Sequence, residues 1–101
     1  MKIKSEGEER VVKLFGSISR ARILTFLLGH AGQSFYQREI MYETGLSLRP
    51  VQRELINLLA LGIIKKQATN NRVFYQINTA SSLFKPLREI YNLVSDERVS
   101  S

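Results

Sequence analysis

The apolar residues change their period at Gly62. Up to that glycine they recur at three- and four-residue steps, the spacing that runs an apolar stripe along a helix. Beyond it they alternate, which is strand spacing. A chain of 101 residues with such a switch is expected to fold as one domain, mainly α with a small β-hairpin, in the α+β class.

On the helical side, Glu8 and Glu9 suit the positive end of a first helix, and Val11, Val12, Leu14, Phe15 and Ile18 give it an apolar side before Gly16-Ser17 breaks it. A second helix is expected from Ser19 to about Leu28, capped by Ser17 or Ser19. Ser34-Phe35-Tyr36 reads as a short extended piece. A third helix, Gln37 to Thr44, closes at Gly45. Ile63 to Ala68 and Arg72 to Ile77 read as paired strands around an asparagine turn, because Asn tolerates positive φ. A last helix is expected over 86–95 with Pro86 at its first position, and residues 1–7 and 96–101 as frayed ends.

The fourth helix carries the most chemistry. Ser47 is placed to cap it through its hydroxyl, and Pro50 falls in the first turn, where a missing N–H costs nothing. Val51, Leu55, Leu58 and Leu59 form the buried stripe. The opposite face carries Arg49, Gln52, Arg53 and Asn57. Arginine pairs with guanine edges, and the amides pair with adenine edges. With the preceding helix and its glycine turn, residues 37–61 read as a helix-turn-helix, and the basic hairpin over 63–77 reads as its wing.

Net charge is +6, and residues 46–77 concentrate it, with five basic groups against one acid. A local cationic patch of this kind points to a polyanion. The chain has no cysteine and one histidine, His30, best read as a helix-end residue, so neither a disulfide framework nor a metal site is expected. There is no phosphate-cradling glycine loop and no nucleophile–base spacing, so no cofactor and no catalysis is expected. No apolar run has membrane-spanning length and no signal-peptide core is visible, so a cytoplasmic protein is the expectation.

Ser19-Arg20-Ala21-Arg22-Ile23-Leu24, Phe35-Tyr36-Gln37-Arg38-Glu39-Ile40, Val51-Gln52-Arg53-Glu54-Leu55 and Asn71-Arg72-Val73-Phe74-Tyr75-Gln76-Ile77-Asn78 resemble the small prokaryotic, especially archaeal, ArsR-like winged helix-turn-helix regulators. The resemblance runs from about Leu14 to Ile90. It implies a homodimeric transcription regulator whose terminal helices form the dimer and whose wing touches DNA backbone. The founding members of the family sense metals through cysteine and histidine ligands. Without the cysteines, metal sensing is not carried over.

These readings give a set of expected roles. Arg49, Gln52, Arg53 and Asn57 are expected to contact bases. Ser47, Gln37, Arg38, Lys65, Lys66, Asn70, Asn71 and Arg72 are expected on the DNA backbone. Lys65, Lys66 and Arg72 serve equally as edge-strand protection, and the two asparagines as turn formers. Arg20 and Arg22 fit either a backbone contact or plain surface. Tyr36 fits a phosphate donor or the core edge. Glu54 fits a cytosine contact, a pairing with Asn57, or simple exposure. Val11, Val12, Phe15, Leu87, Ile90, Tyr91 and Val94 are assigned to a dimer interface, because the terminal segments would otherwise show water a large apolar patch. The expected function is a homodimeric, sequence-specific double-stranded DNA-binding regulator of transcription, most simply a repressor. The alternative is a winged-helix protein–protein interaction module whose basic face meets an acidic partner.

Overall fold

The computed structural model describes the backbone of residues 6–95 and the side chains of residues 9–93; the outermost stretches, where fraying is expected, and the Val94 side chain lie outside what is described. Five helices and three short strands follow in the order α1 (Glu6–Phe15), α2 (Ile18–Gly29), β1 (Phe35–Tyr36), α3 (Gln37–Thr44), α4 (Leu48–Ala60), β2 (Ile64–Thr69), β3 (Arg72–Ile77) and α5 (Phe84–Ser95).

The helix breaks fall where the backbone requires them. Gly16 (φ 73°), Gly45 (φ 71°) and Gly62 (φ 73°) take the left-handed conformation that ends α1, α3 and the α4 exit. Ser17 caps α2, its hydroxyl accepting from the Arg20 amide at 3.2 Å. Ser47 stands at the N-cap of α4, yet its side chain makes no capping bond, so the expected hydroxyl cap is absent. The turn before it is closed instead by Thr44, whose buried hydroxyl donates to the Ile40 carbonyl at 2.6 Å and accepts from the Leu46 amide at 3.4 Å.

Several boundaries differ from expectation. Ile18 lies beyond the Gly16 break and opens α2 instead of extending the apolar side of α1, and β2 runs from Ile64 to Thr69, one residue later at each end. α1 begins at Glu6, two residues before Glu8. α5 begins at Phe84, so Pro86 is the third helical residue and not the first. The Ser81 hydroxyl accepts from the Leu83 amide at 3.1 Å and starts the helix early. Pro86 is still among the first four residues, whose amides have no partner within the helix, so its missing N–H costs nothing there.

The strands form one antiparallel sheet in the order β1-β3-β2. Phe35 pairs with Tyr75 and Tyr36 with Phe74, so the short extended piece becomes a third strand beside the hairpin. At the hairpin tip Thr69 faces Arg72, with Asn70 (φ 50°) and Asn71 (φ 65°) between them. Two consecutive positive φ values mark the tight turn that matches strand twist, and asparagine tolerates them.

The core is a single cluster around α2. Ile23, Leu24, Leu27 and Leu28 meet Ile40 of α3, Val51, Leu55 and Leu58 of α4, Ile63 just ahead of β2, and Ile64 and Ile77 from the sheet. Burying each such side chain contributes about 1.5–3 kcal/mol. The same stripe of α4 that fills this core leaves its other face outside.

Candidate nucleic-acid interface

α2 fixes the pose of α4 through two side chains two residues apart, Arg20 and Arg22, which point to different sides of the helix. Arg20 Nε donates to Glu54 Oε1 at 2.8 Å, and Glu54 is only 3% exposed. Arg22 Nη1 donates to the Thr44 carbonyl at 3.2 Å, at the end of α3. One arginine therefore holds α4 and the other holds the turn that leads into it. Glu54 neither faces a base nor pairs with Asn57, and it is not exposed. It lies inward because α4 places it beside its leucine stripe, where a carboxylate persists only with a partner. Arg20 is that partner.

The consequence for charge is direct. Glu54 is the only acid between residues 46 and 77, and it is buried. The surface of α4 and the hairpin therefore carries Arg49, Arg53, Lys65, Lys66 and Arg72, all exposed, with no exposed carboxylate between them. Among the described residues, neither ion pair engages any of these five.

Arg49, Gln52 and Arg53 lie exposed on one face of α4, and Ser47 is exposed ahead of them. Asn57 is half-buried on the flank of that face. Ile56 stands in the same row, 66% exposed. The spacing 49, 52, 53, 56 repeats the three- and four-residue steps of a helical face, a signal present in the sequence but masked by the apolar character of isoleucine.

A surface cleft of about 350 Å³ separates α4 from the sheet, with Gln37, Gln52, Ile56, Leu59, Lys66 and Tyr75 in its walls. It brings Gln37 and Lys66 beside the exposed row of α4. Arg38 points elsewhere: it lines a separate hollow of about 370 Å³ with Phe35, Glu39, Tyr42 and Glu43. Glu39 itself reaches back to the Tyr36 amide at 2.8 Å, holding the start of α3.

The wing cations do not form one row. Lys66 pairs across from Tyr75 and lines the cleft toward α4. Lys65, one residue earlier, projects from the opposite face of the sheet, as does Arg72. Arg72 Nη1 donates to the Tyr36 hydroxyl at 2.9 Å, and Tyr36 packs on Phe74 with ring centroids 4.3 Å apart. Tyr36 is thus a tie between the wing and the start of α3. Asn70 and Asn71 are exposed at the tip. β2 is also an edge strand, so its lysines block stray pairing as well.

The terminal helices need a correction. α1 and α5 pack on each other within one chain, over α2. Val11 is 1% exposed and belongs to that internal packing, not to an interface. Phe15, Leu87 and Tyr91 are half-buried against the same core, so their inward faces are already covered. Val12 is half-buried and Ile90 exposed, while Leu14 (53%) and Leu93 (70%) face outward.

A helix-turn-helix joined to a two-stranded wing, with a third strand tying the wing back to the motif, leaves one description. The fold is a winged helix-turn-helix. Two solved structures share it. A MarR-family transcriptional regulator from Silicibacter pomeroyi superposes with a TM-score of 0.62 at 13% identity over 88% of this chain. This chain spans 65% of that protein's length. The homodimeric winged helix-turn-helix DNA-binding domain from Mycobacterium bovis, described as a possible ArsR-family transcriptional regulator, superposes with a TM-score of 0.62 at 22% identity, covering 99% of this chain and 94% of that one. No protein-family profile and no curated protein matches the sequence. Among the described residues no helix is long and apolar enough to cross a membrane, and no three metal-ligating side chains cluster.

Proposed function

We propose that this winged helix-turn-helix protein binds double-stranded DNA sequence-specifically and regulates transcription in the cytoplasm as a homodimer, most simply as a repressor that occludes a promoter. The observation that carries the reading is the exposed face of α4: Arg49, Gln52 and Arg53 stand free, while the helix's one acid is turned inward onto Arg20. α4 enters the major groove, its arginines reading guanine edges and Gln52 an adenine edge, with Asn57 available to a further base. Ser47, Gln37 and Lys66 flank the row and meet phosphates. Lys65, Arg72 and the Asn70-Asn71 tip meet the backbone from the outer side of the wing. Arg38, on the far side of α3, contributes only where the duplex wraps that far.

The dimer uses the outer faces of the terminal helices, where Leu14, Ile90 and Leu93 are exposed. The similar Mycobacterium bovis domain is described as homodimeric, which supports a dimer. Two-fold symmetry gives a pseudo-palindromic site with half-sites about one helical turn, or a multiple, apart. The test is binding to random duplex DNA across a salt series, followed by selection of bound sites from a random pool. A DNA reader shows micromolar-range or weaker non-specific affinity with a steep salt dependence, and yields a symmetric selected sequence. An absence of binding at low salt favours a module that docks its basic face on an acidic protein.

A further inference from the structure

We infer that Ile56 is a specificity-determining residue that receives the C5-methyl group of a thymine, an inference that rests on the DNA-reading role proposed above. Ile56 continues the row of Arg49, Gln52 and Arg53 by helical spacing, and no element of the fold covers it: it is 66% exposed while Val51, Leu55 and Leu58 on the opposite face are buried. An aliphatic side chain here has no core to join. It lies between cations on both sides, Arg49 and Arg53 on its own helix and Lys66 across the cleft. That charge, unbalanced by any exposed acid on α4 or the hairpin, disfavours an apolar protein surface as the occupant and favours a polyanion. Among the base edges of the major groove, only thymine offers an apolar group, its methyl. Gln52, one turn before Ile56 and lining the same cleft, is matched to adenine. The pair therefore suits neighbouring A·T pairs, with the amide on an adenine edge and the isoleucine on a methyl. The Ile56 branch end and the Leu59 side chain behind it give the methyl an apolar wall.

The experiment replaces, one at a time, each thymine of a selected duplex by uracil, which removes the methyl and nothing else. Wild-type protein should lose about fourfold in affinity at one thymine per half-site, the factor that burial of a single methyl carries. Ile56→Ala, a change at an exposed position in both protomers, should bind the thymine duplex about as weakly as wild type binds a duplex with uracil at that position of both half-sites, and should be indifferent to the swap there. A wild-type protein insensitive to uracil at every position, or a sensitivity that persists in Ile56→Ala, overturns the inference while leaving DNA reading intact. Failure to select any sequence removes the DNA-reading role and this inference together.

Discussion

Arg20 decides what α4 shows to solvent. Its Nε lies 2.8 Å from a carboxylate whose side chain is 4% exposed, while the guanidinium side chain keeps 35% exposure. The pair spans 34 positions of sequence, so neither partner announces the other in the sequence, and Glu54 read there as an exposed or base-facing acid. Removing the arginine alone leaves a buried carboxylate without its donor. Arg20→Met should therefore lower stability by about 1–3 kcal/mol in urea unfolding. Replacing both partners by apolar groups, Arg20→Met with Glu54→Leu, should recover most of that loss, since no unpaired charge remains. A double variant as unstable as the single one would mean that the pair does not act as a unit. Val11 teaches the same limit from the apolar side. Its helical spacing marks it as covered, but not by which surface, and it is buried in a helix that packs on α2 and α5 of its own chain.

At the scale of elements, the helices were legible because period and punctuation agree. Gly45 and Gly62 take the left-handed backbone that only a terminating glycine adopts cheaply, and α3 spans Gln37–Thr44 as its spacing indicates. β1 was legible as an extended piece but not as a member of the sheet, because two residues carry no period and their partner is β3, far along the chain. Nor could alternation alone show that Tyr36 would hold Arg72. The sheet that results sends neighbouring lysines to opposite faces, Lys66 toward α4 and Lys65 away. Lys66→Ala should weaken binding to selected and random duplexes alike and reduce the slope of log affinity against log salt by about one. A loss confined to the selected duplex would make Lys66 a base reader instead of a phosphate contact.

For the whole molecule, the described chain measures 48 × 30 × 19 Å. Its shortest dimension holds about two helix diameters of roughly 10 Å, too thin to cover both faces of every helix. The outward leucines of α1 and α5 follow from that geometry, and a second copy is their simplest cover. Leu93→Lys should leave the monomer folded, because the side chain is 70% exposed. It should convert the protein to a monomer in sedimentation equilibrium and reduce affinity for a two-half-site duplex toward that for one half-site. An unchanged dimer would move the interface away from α5. The wing and the terminal helices, however, only flank or pair the face of α4, and the proposed reading of DNA stands or falls on that face. The most direct measurement is the affinity of wild type and Arg53→Ala for a selected duplex and for a random one at the same salt. A loss of about 1–3 kcal/mol on the selected duplex, against a much smaller loss on the random one, is expected of a base-reading arginine; equal losses on both would show that Arg53 supplies charge alone and that α4 does not read sequence through it.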